Sequence, residues 1–276
     1  MKQLAKIVLP VFVMAFIIAA CSEDNDTTGS TGNLSIQLTD APFPSDLVSE
    51  ANVIFDRIEI RKADEAEGSP FIVLSEEEMS FNLLDLTNGV TASLVDLEIE
   101  VGSYDLIRLY VSEANVVLGD GGSFDLNIPS GSQTGIKIFI DPSIEVAGGL
   151  TAELLLDFDV SQSFVPQGNP NSADAINGFT FKPTIKAANL TTSGRLAGVV
   201  TDSLGTVVDG ATISVFAADT LNTSALANES GEYTILGLTA GIYDVTVEYG
   251  EYSAVTFDEV EIVAGNVTTQ DAQLTE

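Results

Sequence analysis

The chain reads as an all-β protein built from two Greek-key β-sandwich domains in tandem, and three observations lead there. Apolar residues recur with a period of two, not 3.6, through most of the 276 residues. Turn signals built from glycine, proline, asparagine and aspartate separate these short runs. The texture then changes at Thr191, beyond which glycines punctuate the sequence regularly. The expected organisation is a first sandwich over 33–190 and a second over 194–276, of immunoglobulin-like type.

The elements follow in order. Leu34, Ile36 and Leu38 alternate with polar residues, and Thr39-Asp40-Ala41-Pro42 ends that strand, because proline cannot donate to a ladder. Val53 and Phe55 alternate, then Ile58 and Ile60 alternate in the opposite phase. The slip at Asp56-Arg57 predicts a bulge that re-aims both charged side chains. Asp64 to Ser69 reads as an acidic loop, Phe71 to Leu74 as a strand, and Glu76 to Met79 as one helical turn. Leu83 to Leu94 is ambiguous between loop and short helix, with a turn at Asn88-Gly89. Tyr104 to Leu118 is a long strand or a hairpin, followed by the turn Gly119-Asp120-Gly121-Gly122. Ile136, Ile138 and Ile140 alternate up to Asp141-Pro142. Leu150, Ala152, Leu154, Leu156, Phe158 and Val160 form the cleanest alternation, and Phe179, Phe181 and Ile185 read as the last strand of the domain.

The amino terminus carries the clearest address. Lys2 and Lys6 precede an apolar run from Ile7 to Ala20, a length suited to a secretory leader and short for a bilayer span. Ala19-Ala20-Cys21 resembles the lipobox of bacterial lipoproteins. That resemblance implies a signal peptide over 1–20, acylation of Cys21, and a lipidated flexible tether over 21–32. Ser22-Glu23-Asp24-Asn25-Asp26 resembles the surface-export signal of Bacteroidota lipoproteins, with Ser22, Glu23, Asp24 and Asp26 carrying it. The expected location is the outer membrane, lipid-anchored and displayed at the cell surface. A periplasm-facing anchor is the alternative.

Two further resemblances concern the domains. Leu38-Thr39-Asp40-Ala41-Pro42, Leu83-Leu84-Asp85-Leu86, Gly102-Ser103-Tyr104, Leu156-Asp157-Phe158-Asp159-Val160 and Phe181-Lys182-Pro183 resemble a domain of unknown function common in bacterial lipoproteins. Gly198-Val199-Val200-Thr201-Asp202, Gly210-Ala211-Thr212, Gly231-Glu232-Tyr233 and Gly241-Ile242-Tyr243-Asp244-Val245 resemble the carboxypeptidase regulatory-like domain, which implies a small transthyretin-like sandwich serving as a structural accessory module. Gly102-Ser103-Tyr104 and Gly241-Ile242-Tyr243 also echo each other, either as a common strand entry or as a mark of two variants of one Greek-key sandwich.

Composition excludes whole classes of function. Lys and Arg number 10 against 41 Asp and Glu, and losing Lys2 and Lys6 with a leader would take the net charge from −31 to −33. Such a surface repels nucleic acid. The chain has no histidine and one cysteine, so Ser-His-Asp, Cys-His and the usual zinc chemistry have no residues to use. Asp157 and Asp159 flank Phe158 and point to one face of their strand. The bland reading is a solvated face, paired with Arg57, Arg108 or Lys182. A sharper reading joins Asp40 to them as calcium ligands. Asp120 and Asp125 read as an ordinary hairpin rather than a calcium loop. No catalytic residue is assigned and no cofactor is required beyond that calcium. The expected function is a non-enzymatic surface module for binding, adhesion or assembly, anchored in the membrane and taking a glycan or protein ligand. The alternative is a carboxylate-dependent hydrolase acting on an extracellular glycan.

Overall fold

The computed structural model describes residues 30–41, 47–63, 70–128, 134–169, 172 and 175–276. The leader, Cys21, the export run Ser22 to Asp26, Pro42 and the acidic loop Asp64 to Ser69 lie outside the described residues. No described helix is long and apolar enough to cross a membrane.

The chain is almost entirely β, with two separate apolar cores. In the first domain one sheet orders β12 (Ile185–Asn189), β9 (Thr151–Asp159), β1 (Thr31–Ala41) and β5 (Ala92–Glu100). The opposite sheet centres on two long strands, β2 (Val48–Lys62) and β6 (Gly102–Leu118). Around them lie β3 (Ile72–Ser75), β4 (Met79–Asn82), β7 (Ser123–Asp125) and β8 (Ile136–Val146). A small ribbon joins β10 (Phe164–Gly168) to β11 (Ile176–Phe181). Alternation places Leu34, Ile36 and Leu38 of β1 against Val53, Phe55, Ile58 and Ile60 of β2, all fully buried. Phe158, Phe164 and Phe181 close one end, their ring centroids 5.1–6.4 Å apart.

The second domain pairs two sheets. One orders β16 (Glu232–Thr239), β13 (Ser193–Asp202) and β19 (Val267–Thr269), with β20 (Ala272–Leu274) also on β13. The other orders β15 (Thr220–Leu226), β14 (Thr212–Ala217), β17 (Gly241–Glu248) and β18 (Val255–Ile262). The chain crosses between sheets after the β14–β15 hairpin and again after β16, which is Greek-key connectivity.

Several local expectations change. Glu76 to Glu78 are irregular and Met79 begins β4, so no helical turn forms there. Pairing with β2 through Val53↔Phe81 and Phe55↔Met79 wins over the weak helical propensity of a four-residue stretch. Of the two readings of Tyr104 to Leu118 the long strand holds, as part of one 17-residue strand. Phe181 and Ile185 belong to different strands, because the Lys182-Pro183-Thr184 stretch interrupts the ladder. Leu83–Leu86 is a 3₁₀ turn capped by Asn82, and Asn88 and Gly89 both take positive φ, at 56° and 80°.

Candidate functional site

The paired carboxylates do not lie on a solvated face. Alternation along β9 sends Ala152, Leu154, Leu156 and Phe158 into the core and Glu153, Leu155, Asp157 and Asp159 outward. The second domain docks on that outward face. Leu155 has no exposed surface yet belongs to neither core, because Gly237 of β16 sits on it. A Cβ at Gly237 would lie 3.0 Å from both Leu155 and Ala188, so glycine permits the close approach.

Asp157 pairs in register with Thr39 of β1 and with Lys186 of β12. Lys186, not Arg57, Arg108 or Lys182, is its cation. The Lys186 ammonium also donates to the Asn222 carbonyl of the second domain. The Thr223 hydroxyl donates to Asp157 at 3.4 Å. Burial raises the Asp157 carboxyl to about 6; Lys186 opposes the rise and the charge of Asp159 adds to it.

Asp159 is 6% exposed and works as a helix cap. One oxygen accepts from the Gln162 amide at 3.0 Å and the Ser161 hydroxyl at 2.6 Å, and the other accepts from the Gln162 side chain at 2.5 Å. This fixes the single helical turn α1 (Val160–Ser163). Asp40 lies within β1 rather than in a turn beyond it, because the strand runs on to Ala41. It is 5% exposed, and one oxygen accepts from the Val160 amide at 3.0 Å. The other oxygen is buried without a partner. Burial drives the Asp40 carboxyl well above its ordinary value; the Val160 amide opposes this, and Asp157 and Asp159 add to it.

The three carboxylates are thus near one another but do not share a shell. Among the described residues no group of three His, Cys, Asp or Glu is arranged to hold a metal. Asp159 is committed to its cap, and calcium at Asp157 would stand in the field of the Lys186 ammonium. At Asp120 the carboxylate accepts from the Gly122 amide at 2.9 Å and the chain returns as β7, an ordinary hairpin.

Two residues of the seam had no distinctive sequence signal. Asn88 presents its amide to the edge strand β16, accepting from Thr234 N at 2.5 Å and donating to the Glu232 carbonyl at 3.1 Å. It acts as a one-residue strand partner for an otherwise open edge. Lys186 could not be matched to Asp157 without the register. Leu155 was the available signal: a leucine in the polar phase of an alternating strand means that both faces are covered.

Cavities at the seam differ in size. The one above Asp40 and Asp157 is about 20 Å³, and the one beside Asp157 and Lys186 about 100 Å³. A third, lined by Gln37, Glu153, Arg195 and Thr234 among others, is about 500 Å³.

Residues 31–183 match the family described as Domain of unknown function (DUF4382), and the chain belongs to that family. Residues 195–275 match the Carboxypeptidase regulatory-like domain. No curated protein matches the sequence. Among solved structures, a type II cohesin–X–dockerin complex from Acetivibrio cellulolyticus is 17% identical at a TM-score of 0.24, over 29% of this chain and 56% of that one. The minor pilin GBS52 of Streptococcus agalactiae is 8% identical at 0.26, over 88% and 95%. Shaft pilin SpaA from Lactobacillus rhamnosus GG is 11% identical at 0.26, over 90% and 98%. Such distant likenesses carry no statement about activity.

Proposed function

We propose that this member of the DUF4382 family is a non-enzymatic, lipid-anchored surface protein that presents two docked sandwiches for binding, adhesion or assembly. The observation that carries the reading is the state of its acid–base candidates. Asp157 has the raised carboxyl that a general acid would need. Its two flanking cavities, of about 20 and 100 Å³, are smaller than the roughly 300 Å³ at which ligand sites begin. The Thr223 hydroxyl of the second domain bonds it in the seam, and Asp159 is spent on a helix cap. These groups support joining domains rather than turning over substrate. The carboxypeptidase regulatory-like match is in keeping with an accessory role.

Display at the surface rests on the lipobox-like Ala19-Ala20-Cys21 and the acidic run behind it. Cys21→Ala should move the protein from the membrane to the soluble fraction, or leave the leader uncut. Protease added to intact cells should remove the wild-type protein. Unchanged partitioning of the variant would refute acylation. Protection in intact cells together with loss in lysed cells would place the protein on the periplasmic side. Release of products from a glycan or ester, abolished by Asp157→Asn, would overturn the non-enzymatic reading.

A further inference from the structure

The third seam cavity has a different character from the carboxylate pair. It is about 500 Å³, within the size range of small-ligand sites, and it opens where the two domains meet. Gln37 and Glu153 come from the outer face of the β12-β9-β1-β5 sheet, and Thr91 immediately precedes β5. Thr191 lies in the joint, Arg195 near the start of β13, and Thr234 on β16. None of these six side chains makes a hydrogen bond or ion pair with the described residues. They supply an amide, three hydroxyls, a carboxylate and a guanidinium, together donors and acceptors in nearly equal measure. Leu190 and Leu236 are the large apolar residues on the wall.

Arg195 is the one cation of residues 194–276, a region with 13 Asp and Glu. It faces into the cleft that also holds Glu153, so the two charges cancel there. The walls are fixed in position, because Asn88 bonds the Thr234 and Glu232 backbone beside the cleft.

We infer that this interdomain cleft binds a short neutral oligosaccharide. The inference rests on the surface-binding reading above and names the site and ligand class. Sugar hydroxyls both donate and accept, and vicinal pairs suit amide, carboxylate and guanidinium groups that present two atoms at once. A polyanionic glycan would meet the field of a chain with net charge −31, and a cleft with no net charge to offset it. An apolar peptide would find few apolar walls. With no aromatic side chain on its wall, the cleft gains its affinity from polar contacts, packing the sugar on Leu190 and Leu236.

The test is titration of the full-length protein with maltohexaose, cellohexaose, laminarihexaose, xylohexaose and mannohexaose, followed by calorimetry or saturation-transfer NMR. A hexamer of galacturonate is the charged comparison. At least one neutral hexaose should bind, with affinity insensitive to salt. Arg195→Ala and Glu153→Gln should each weaken it about tenfold or more, since each removes charged hydrogen bonds. Both residues are exposed, so melting temperatures should not move. Arg57→Ala, on the far sheet, should bind like the wild type. The inference is overturned if no neutral hexaose binds, if only the galacturonate does, or if binding survives both seam variants. Cell-surface or protein binding that persists in that case would leave the surface-module reading standing. Cleavage of the bound sugar would instead sink that reading while keeping the site.

Discussion

At the scale of single residues, Asp157 shows how domain docking sets a titration. Its carboxyl sits near 6 because burial disfavours the charge more than Lys186 compensates. The folded state therefore holds this proton more tightly than the unfolded chain. The associated stability is fully present below the ordinary carboxylate range and is lost as pH rises through about 6. Asp40, also raised and with one buried oxygen unpartnered, acts in the same direction. Stability is expected to fall from the ordinary carboxylate value of 3.8 to just past about 6 and to level off above it, opposite to the usual acid denaturation of salt-bridged carboxylates. Asp157→Asn should raise stability at pH 7.5 by about 1–2 kcal/mol, less than the full shift implies because Lys186 loses its counter-charge. It should also flatten the pH slope. Melting curves of both proteins at several pH values check this, and an unchanged slope would mean that water reaches the carboxylate.

At the scale of elements, the slip in β2 is a tolerance prediction. Phe55 pairs with Val111 and Arg57 with Tyr110, consecutive residues on β6, while Asp56 has no partner in that ladder. Without Asp56, Phe55 and Ile58 still face the core and Arg57 still faces out. One Asp56 oxygen is buried and unpartnered. Deleting Asp56 should therefore leave the first domain folded, with a melting temperature within a few degrees of wild type. Deleting Ile54 should unfold it, because Phe55 is turned outward and Asp56 inward. The bulge also places Arg57 beside Glu59, which is 5% exposed and takes Arg57 at 2.6 Å, Arg108 at 3.7 Å and the Tyr110 hydroxyl at 3.0 Å. Glu59→Ala would leave two arginines without their buried anion, at a cost of about 3 kcal/mol measurable by denaturant unfolding. Features of this scale were largely legible. The phase change from Phe55 to Ile58 marked the bulge, and the Gly-x-Tyr echo marked a shared device. The Tyr104 hydroxyl bonds the Glu100 carbonyl at 2.7 Å and that of Tyr243 bonds Thr239 at 2.9 Å, each four residues upstream. Short stretches such as Glu76 to Met79 were not legible, because long-range pairing decides them.

At the scale of the whole molecule, period-two patterning locates the two cores but cannot say which outer faces meet. Glu153, Asp157 and Gln37 read like solvated positions whether water or a second domain lies over them, and only Leu155 breaks the pattern. The seam has a clear physical weak point. Asn88 supplies the edge strand β16 with one acceptor and one donor. Beside it, a Cβ on Gly89 would come 2.9 Å from the Thr234 methyl. Below it Leu155 fills the gap under Gly237. Asn88→Ala leaves the Thr234 amide without its partner, at about 1–3 kcal/mol. Leu155→Ala removes a large buried apolar side chain that lies in neither core and packs under Gly237, at about 2–5 kcal/mol. Neither change touches the first or second core. The intact chain should therefore melt in a single calorimetric transition. The double variant should melt in two, with the Leu190-to-Thr192 joint becoming sensitive to protease. If the double variant still melts in one transition, the domains are coupled by something other than this seam. If the wild type already melts in two, the seam is too weak to hold the oligosaccharide cleft in one shape, and Arg195 and Glu153 would then contribute to binding independently rather than together.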